Sequence, residues 1–438
     1  MTPKIAVILF PGTNCELEAM RALKRSDMDP KLIMWNDTET DYSQFDGFFL
    51  PGGFSYEDRG RSGVIASKNP LLGKIKKEAA KGKPVLGVCN GAQIILESKL
   101  IPGLDENHVE MALAWNKRID KNGKILGTGF YNDWIYIKNA APAGRSAFNK
   151  YSQDHVMRIP VAHAEGRYTT MDEELVKLIE NNEQAVFKYC DKDGNIVNEF
   201  PVNPNGAILN LAGICNPEGN IMSLMPHPER TKNGQAIFDS MRDYVGNSFT
   251  IAKKDSVVTR RETTVKDMVL DYKKPTFEVF VDTVITDNEE RTIEYAIKSI
   301  GFSNIKLKKQ KYFGINLESG IDPIKTAIDL IESGELVNLA KEIPTIVIDG
   351  KSYNYEKEHG LSEVKSQNTN KNAYLTFDKE DTAGENILQT VKTHFSIPGV
   401  SKISSGKKWI LDIEQDKAEE IIKTQILHNP HAMDIYKA

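Results

Sequence analysis

One cysteine of this chain stands where a thiol can be turned into a nucleophile. The stretch Lys83-Pro84-Val85-Leu86-Gly87-Val88-Cys89-Asn90-Gly91-Ala92-Gln93-Ile94-Ile95-Leu96 reads as a buried strand running straight into a helix, with Cys89 at the junction. A glycine lies two residues to either side of it, and G-x-C-x-G at such a junction is the cysteine form of the nucleophile elbow. The turn is too tight for side chains at the flanking positions, and it lifts the sulfur out of the sheet. The N–H groups and positive end of the following helix then favour thiolate. A buried, inert cysteine at an ordinary strand–helix junction is the plain alternative for this segment taken alone.

A thiol nucleophile needs a base, and the base needs an orienting group. Met225-Pro226-His227-Pro228-Glu229-Arg230 follows an apolar run and offers both. Residues i and i+2 of an extended segment face the same way, and two prolines are expected to hold this one extended. His227 is therefore read as general base and acid, and Glu229 as the carboxylate that orients it; a surface loop is the alternative. The oxyanion of an acyl transfer needs N–H donors. Asn90, directly after the nucleophile, supplies one from its backbone. The glycine loop Leu50-Pro51-Gly52-Gly53-Phe54, expected at the same sheet edge, could supply the second at Gly53, although taken alone it reads as a plain turn. His163, in Ala162-His163-Ala164-Glu165-Gly166, is a rival base, and His227 is preferred because Glu229 follows at a fitting spacing. Cys15 lies near the end of the first strand, where a thiol could face the site, and packing is the preferred reading. Trp409 is read as core, and Lys306, Lys308, Lys309 and Lys311 as a solvated strand face, with contact to an acidic partner patch as the alternative.

The elements that must position these residues are legible as alternation. Short apolar runs at 5–10, 31–35, 47–50 and 84–88 are separated by amphipathic stretches such as 16–25 and 71–81. Such alternation predicts an α/β architecture with a parallel sheet covered on both faces. Added strands are expected at 124–130 and 134–137. A hairpin is expected from 207–214 to 221–225 across Asn216-Pro217-Glu218-Gly219-Asn220, and a closing helix at 236–245. From 252 to 275 the chain turns charged and loses periodicity, as a linker does.

After Pro275 the pattern restarts twice as β-α-β-α-β. The first series is 277–281, 288–300, 312–317, 323–333 and 345–348; the second is 373–377, 386–394, 409–413, 418–426 and 433–436. Phe313-Gly314-Ile315-Asn316-Leu317-Glu318 parallels Trp409-Ile410-Leu411-Asp412-Ile413-Glu414. This reads as a tandem duplication of a small ferredoxin-like α+β unit, with one irregular α+β domain as the alternative. The expected plan is a domain over 1–250, a linker over 251–275, a unit over 276–361, a linker over 362–372 and a unit over 373–438.

Composition narrows the partners. A chain of 438 residues exceeds one core. Its 40% hydrophobic and 27% charged residues are those of ordinary water-soluble proteins. A net charge of -5, with no basic arm, points away from nucleic acid. Cys15, Cys89, Cys190 and Cys215 form no CxxC pair, so neither a metal site nor a disulfide framework is expected, and a reducing, cytoplasmic location is. The first apolar run is too short for a signal peptide. No stretch approaches the roughly 20 apolar residues of a membrane span.

The elbow, the loop Pro51-Gly52-Gly53 and the pair His227-x-Glu229 together resemble class I (triad-type) glutamine amidotransferases. Further stretches narrow the likeness: Pro11-Gly12-Thr13-Asn14-Cys15-Glu16, Pro51-Gly52-Gly53-Phe54-Ser55-Tyr56, Ala162-His163-Ala164-Glu165-Gly166-Arg167-Tyr168, Pro204-Asn205-Gly206, Ala212-Gly213-Ile214-Cys215-Asn216 and Met225-Pro226-His227-Pro228-Glu229-Arg230. In order and wording they look like the glutaminase subunits of phosphoribosylformylglycinamidine synthases (PurQ type), over roughly residues 4 to 245.

The resemblance implies a flavodoxin-like fold with Cys89, His227 and Glu229 as the triad and Gly53 at the oxyanion hole. It places Phe54 and Gln93 on the glutamine pocket. It implies no cofactor on this chain: ATP and magnesium belong to a large synthetase subunit that receives the ammonia and aminates formylglycinamide ribonucleotide. The C-terminal units look like the accessory subunit of that synthase (PurS type), through residues 304–318 and Leu427-His428-Asn429-Pro430-His431-Ala432-Met433-Asp434-Ile435-Tyr436. They would then serve as a docking bridge, with self-association through these units.

Glu57-Asp58-Arg59-Gly60-Arg61-Ser62-Gly63 and Met111-Ala112-Leu113-Ala114-Trp115-Asn116 depart from the family's wording, and are expected at the pocket rim or partner face. Triad amidotransferases of guanylate, cytidylate, anthranilate or carbamoyl phosphate synthesis are alternatives, and the accessory-like C-terminus speaks against them. A non-catalytic glutamine sensor or scaffold is another, and the intact triad speaks against that.

Overall fold

The computed structural model describes residues 2–251, 268–364 and 372–438. The chain divides into two compact units, Met1–Thr264 and Val265–Ala438.

The first unit is built on a nine-stranded sheet. Its strands run in the order Asp29–Met34, Lys4–Leu9, Gly47–Leu50, Val85–Val88, Ile221–Leu224, Leu211–Cys215, Phe187–Cys190, Tyr131–Asn139 and Val156–His163. The first five are parallel to one another, and the last four are added antiparallel. Gly47–Leu50, Val85–Val88 and Ile221–Leu224 are buried at every position. That is what a parallel strand covered on both faces requires, and why these runs are apolar without alternating. The helix Pro70–Ala79 starts with Pro70 behind Asn69, whose side chain accepts from Leu71 N–H. The helices Glu16–Arg25 and Gln235–Val245 present Ala19, Leu23, Ile237 and Phe238 to the common core.

Several elements depart from the expected pattern. The run at 124–130 yields only Ile125–Thr128, which pairs with Lys117–Ile119 in a separate two-stranded ribbon. The strand expected from 207 begins at Leu211. Before it, Ile208–Asn210 is a 3-10 turn, with Leu209 and Asn210 at positive φ and Ala207 N–H held by the Asn203 side chain. Val156–His163, the helix Glu173–Asn181 and Phe187–Cys190 were not anticipated.

The second unit also carries a nine-stranded sheet. Its order is Val269–Leu270, Met433–Lys437, Ala373–Asp378, Val400–Asp412, Lys306–Leu317, Phe277–Thr283, Glu342–Ile348, Lys351–Glu356 and Gly360–Val364. Two β-α-β-α-β series are present. The helices of the first are Asn288–Ser299 and Pro323–Glu332; those of the second are Thr382–Thr393 and Gln415–Lys423. In each series the first strand lies between the second and third, antiparallel to both. The β-β hairpin at the middle of a ferredoxin-like β-α-β-β-α-β unit has no counterpart in either, because a helix occupies every crossover.

The long middle strands join the two series. Lys306–Leu317 pairs antiparallel with Val400–Asp412, from Lys306↔Asp412 to Leu317↔Val400. Phe277, Val279 and Val281 alternate onto a core shared with Ile315, Leu330 and Ile346. Trp409 is buried, its indole N–H donating to Thr376 Oγ1 at 3.0 Å. The lysine-rich strand is not simply solvated: Lys309 pairs with Asp287 and Glu289, and Lys311 with Glu342.

Both expected linkers hold structure at one end. Val269–Leu270 adds a short parallel strand beside Ile435 and Tyr436. Gly360–Val364 closes a hairpin with Lys351–Glu356; as a polar edge strand it lacks the alternation that would have revealed it. The remainder of these stretches, 252–267 and 365–371, lies outside the described residues. Among the described residues, no helix is long and apolar enough to cross a membrane.

Candidate active site

At the end of Val85–Val88 the backbone reverses sharply. Cys89 sits at φ 52 and ψ -109, immediately before the helix Asn90–Glu97, and its N–H donates to Leu224 O at 2.8 Å. Such a conformation costs a non-glycine residue about 1–3 kcal/mol and is retained where the surroundings over-determine it. The two flanking glycines serve different needs. A Cβ on Gly87 would lie 2.5 Å from Gly91 O, inside the turn itself. A Cβ on Gly91 would instead collide with the Leu50 carbonyl of the neighbouring strand. Gly91 is therefore fixed by the close approach of a second element as well as by its own turn.

The second loop reaches the same place. A Cβ on Gly52 would stand 2.9 Å from His227 Cε1, 3.1 Å from Cys15 Sγ and 3.4 Å from Cys89 Cβ. The Cys15 thiol, the His227 imidazole and the Cys89 Cβ thus converge on Gly52, which sequence reasoning passed over in favour of its neighbour. Gly53 lies one residue on at φ 150, bridged to Thr13, with Phe54 N–H donating to Gly12 O at 2.9 Å.

His227 follows the strand Ile221–Leu224, and its N–H donates to Pro160 O at 2.9 Å. The segment after it is not extended, contrary to expectation. Pro228–Arg230 forms a 3-10 turn with Pro228 at its first position, where a fixed φ and a missing N–H suit helix entry. The turn, rather than strand alternation, brings Glu229 Oε1 to 2.6 Å from His227 Nδ1. Both side chains are buried. Burial alone would push the imidazole down, but the Glu229 carboxylate, and then the Cys89 sulfur, outweigh it and lift His227 to about 10. The ring is held protonated between the Glu229 carboxylate and Cys89. A cysteine facing an imidazole, with a carboxylate behind the ring, is the arrangement such groups adopt for acyl transfer.

Asn90 does more than begin the helix. Its Oδ1 accepts from Ser55 N–H at 3.0 Å, and its Nδ2 donates to Gln93 Oε1 at 2.9 Å and to Asp58 Oδ1 at 3.3 Å. The side chain therefore ties the glycine loop to the nucleophile helix. Gln93 Nε2 donates to Glu165 O at 2.6 Å. Both ends of the Gln93 amide are thus engaged within the protein, which makes it a wall of the site rather than a free hydrogen-bonding group. Phe54 is half exposed.

Of the departing stretch 57–63, Arg61 turns inward to a bidentate pair with Glu97 at 2.7 and 2.6 Å, so that side chain anchors the nucleophile helix rather than forming a rim. Tyr56, Glu57 and Asp58 all have φ between 53 and 58, a left-handed run without a glycine. Burial pushes the Asp58 carboxyl up to about 6.

The spacing argument for His227 over His163 does not discriminate, since Glu165 also stands two residues after its histidine. The surroundings do. His163 Nδ1 lies 3.1 Å from Asn116 Nδ2, and burial, then the charge of His227, pushes the ring down to about 3. A neutral imidazole without a carboxylate partner cannot act as His227 can. Asn116, the last residue of the other departing stretch, is buried beside it rather than at a partner face. Cys15 is a further correction. It is buried, but against the site: its sulfur and single donor atoms of His227 and Glu229 all lie within 4.8 Å of one another. Arg230 Nη2 donates to Cys15 Sγ at 3.0 Å. Among the described residues, these three are the group able to hold a metal ion.

Comparison with known proteins agrees in extent. Residues 2–243 match the CobB/CobQ-like glutamine amidotransferase domain. Phosphoribosylformylglycinamidine synthase subunit PurQ of Methanothrix thermoacetophila is 43% identical over 259 residues, 55% of this chain and 98% of that protein. The subunit of the same name from Methanocaldococcus jannaschii is 39% identical over 249 residues, again 55% of this chain and 98% of that protein. A solved structure of PurLQS from Thermotoga maritima aligns at 27% identity over 56% of this chain and 100% of that one, with a TM-score of 0.43.

Proposed function

The chain belongs to the CobB/CobQ-like glutamine amidotransferases and, within them, to the PurQ subunits of phosphoribosylformylglycinamidine synthase, and from that premise we propose that Cys89, His227 and Glu229 hydrolyse glutamine and that the ammonia passes to a separate ATP-dependent subunit, which aminates formylglycinamide ribonucleotide in purine biosynthesis. The observation that carries the reading is the buried Glu229–His227 pair facing a cysteine held at φ 52.

The chemistry follows from charge. Thiolate attacks the side-chain amide carbon of glutamine, and the carbonyl oxygen takes up negative charge. The Asn90 N–H, unpaired at the first turn of its helix, and the Gly53 N–H stabilise that oxyanion. His227 protonates the departing nitrogen, and ammonia leaves a glutamyl thioester. The neutral ring then takes a proton from water, which attacks the thioester and frees glutamate. Phe54 lines the entrance for glutamine. ATP and magnesium act on the partner subunit.

The C-terminal unit serves, in this reading, as a fused accessory (PurS-type) module that docks the synthetase. Two series of like order paired through their middle strands support it.

The test is ammonia release from glutamine by wild type and Cys89→Ala, with and without the large synthetase subunit, ATP and formylglycinamide ribonucleotide. A Cys89-dependent rate that rises with partner and substrate is the expected result. Failure to hydrolyse glutamine even in the full mixture would replace it with the reading of a glutamine sensor or scaffold.

A further inference from the structure

We propose that Cys15, His227 and Glu229 form a binding site for a soft divalent cation of the zinc class, and that its occupation switches the glutaminase off. The second half rests on the function proposed above; the first does not.

The donor set is one sulfur, one nitrogen and one carboxylate oxygen, a combination that suits zinc and its soft neighbours and disfavours magnesium or calcium. The three donor atoms lie within 4.8 Å of one another. Tetrahedral coordination at bond lengths of about 2.0–2.3 Å brings ligand atoms to roughly 3.3–3.8 Å apart. Closing the site therefore takes side-chain shifts of about 1 Å, which needs no backbone rearrangement. All three residues are at most 2% exposed. Glu229 Oε2 has no hydrogen-bond partner, so coordination can satisfy a buried atom that otherwise goes unpaired.

Arg230 looks like an obstacle, since its guanidinium donates to Cys15 Sγ at 3.0 Å. The charge count says otherwise. A dication with one thiolate and one carboxylate is neutral. A chloride or hydroxide from solvent fills the fourth position, since the cluster consists of Cys15, His227 and Glu229. The set is then an anion, which Arg230 neutralises while donating N–H to a metal-bound sulfur, as outer-shell partners do. The consequence for catalysis is direct: an imidazole nitrogen or carboxylate bound to the metal no longer carries or orients the proton that ammonia needs.

The test uses the full chain and cobalt(II) as a spectroscopic stand-in for zinc. One equivalent of cobalt is expected to give a thiolate-to-metal charge-transfer band that zinc displaces and magnesium does not. Cys15→Ser should lose the band, weaken zinc binding at least tenfold by calorimetry and leave glutaminase resistant to zinc concentrations that silence the wild type. Unchanged melting curves would show that this variant is folded. The proposal is overturned if wild type gives no band, or if Cys15→Ser keeps the band and the same zinc sensitivity, which would put the metal on Cys89 alone. The two readings fail separately: a Cys15-dependent cobalt band that persists in Cys89→Ala, from a wild type that never hydrolyses glutamine, leaves the metal site standing while the glutaminase reading falls.

Discussion

The two units of this chain share turns with left-handed residues, but only the first gathers such residues at one site. Among the described residues of Met1–Thr264, eleven non-glycine residues have positive φ; seven of them serve turns, as Asp27 and Leu209 do, and the other four, Tyr56, Glu57, Asp58 and Cys89, are linked to one place through Asn90 and the Gly52 loop. In Val265–Ala438 the described non-glycine residues with positive φ are Asp349, Ser396 and Gln425. Each lies between secondary elements, where a left-handed residue serves a turn. The second unit instead invests in regular pairing and a buried aromatic set. Strain gathered at one sheet edge marks where geometry is held against its own preference, and such places are where chemistry is done. Regular pairing with little strain marks a part whose task is shape.

That contrast can be broken by substitution. Cys89→Ala should lower glutamine-dependent turnover by at least about 10³-fold, with synthesis from added ammonia preserved in the presence of the partner subunit. Retention of more than a few per cent would deny the strained junction its role.

Glu229→Gln should cost roughly 10²–10⁴ in kcat and should also move the alkaline limb of the pH profile. Imidazolium is the proton donor, so activity is present below the His227 value and lost as pH rises through about 10. Without the carboxylate that lifts it, the limb falls to lower pH. Stability has the same sign: the pair's contribution is complete below the ordinary histidine value of about 6.5 and disappears as pH climbs through about 10.

On the other side of the comparison, Trp409→Ala should destabilise the second unit by about 3–5 kcal/mol, read by hydrogen exchange. Basal glutaminase should stay unchanged; a matching loss of activity would mean that the units are not separable. Asn90→Ala keeps the backbone N–H but releases the glycine loop, so kcat should fall on the order of tenfold with KM little altered. The smallest effect is the most pointed. Cys89→Gly should stabilise the first unit by about 1 kcal/mol in urea unfolding while abolishing turnover, because glycine accepts positive φ without the strain.

Much of the site was legible because motif residues have local physical reasons. Gly87 and Cys89 announce a tight strand–helix turn whatever surrounds them. Where the reason lies in a distant element, the reading ran short. Gly91 is required by Leu50 of another strand, and Gly52 by a histidine far along the chain. Pro226-His227-Pro228 was expected to be straight because proline favours extension, yet the second proline opens a 3-10 turn. Packing is the first reading of Cys15, with a site-facing thiol second, because a sulfur's neighbours are not written in its flanking residues. In the second unit the two series could be counted from their periodicity, but a hairpin such as 351–364, polar and at an edge, leaves no periodic trace.

The seam between Lys306–Leu317 and Val400–Asp412 has one more implication. Two free copies of such a module would meet only as often as dilution allows. Covalent linkage makes their meeting unimolecular, so the joined sheet is as complete at nanomolar as at millimolar concentration. It also frees each half from having to be its own complement. The hairpin Lys351–Glu356 and Gly360–Val364 extends the sheet beyond the first series alone, while the short strand Val269–Leu270 borders the second. A pairing of identical chains is bound to repeat every feature at both ends; this one can wear two different edges, and so greet two different neighbours.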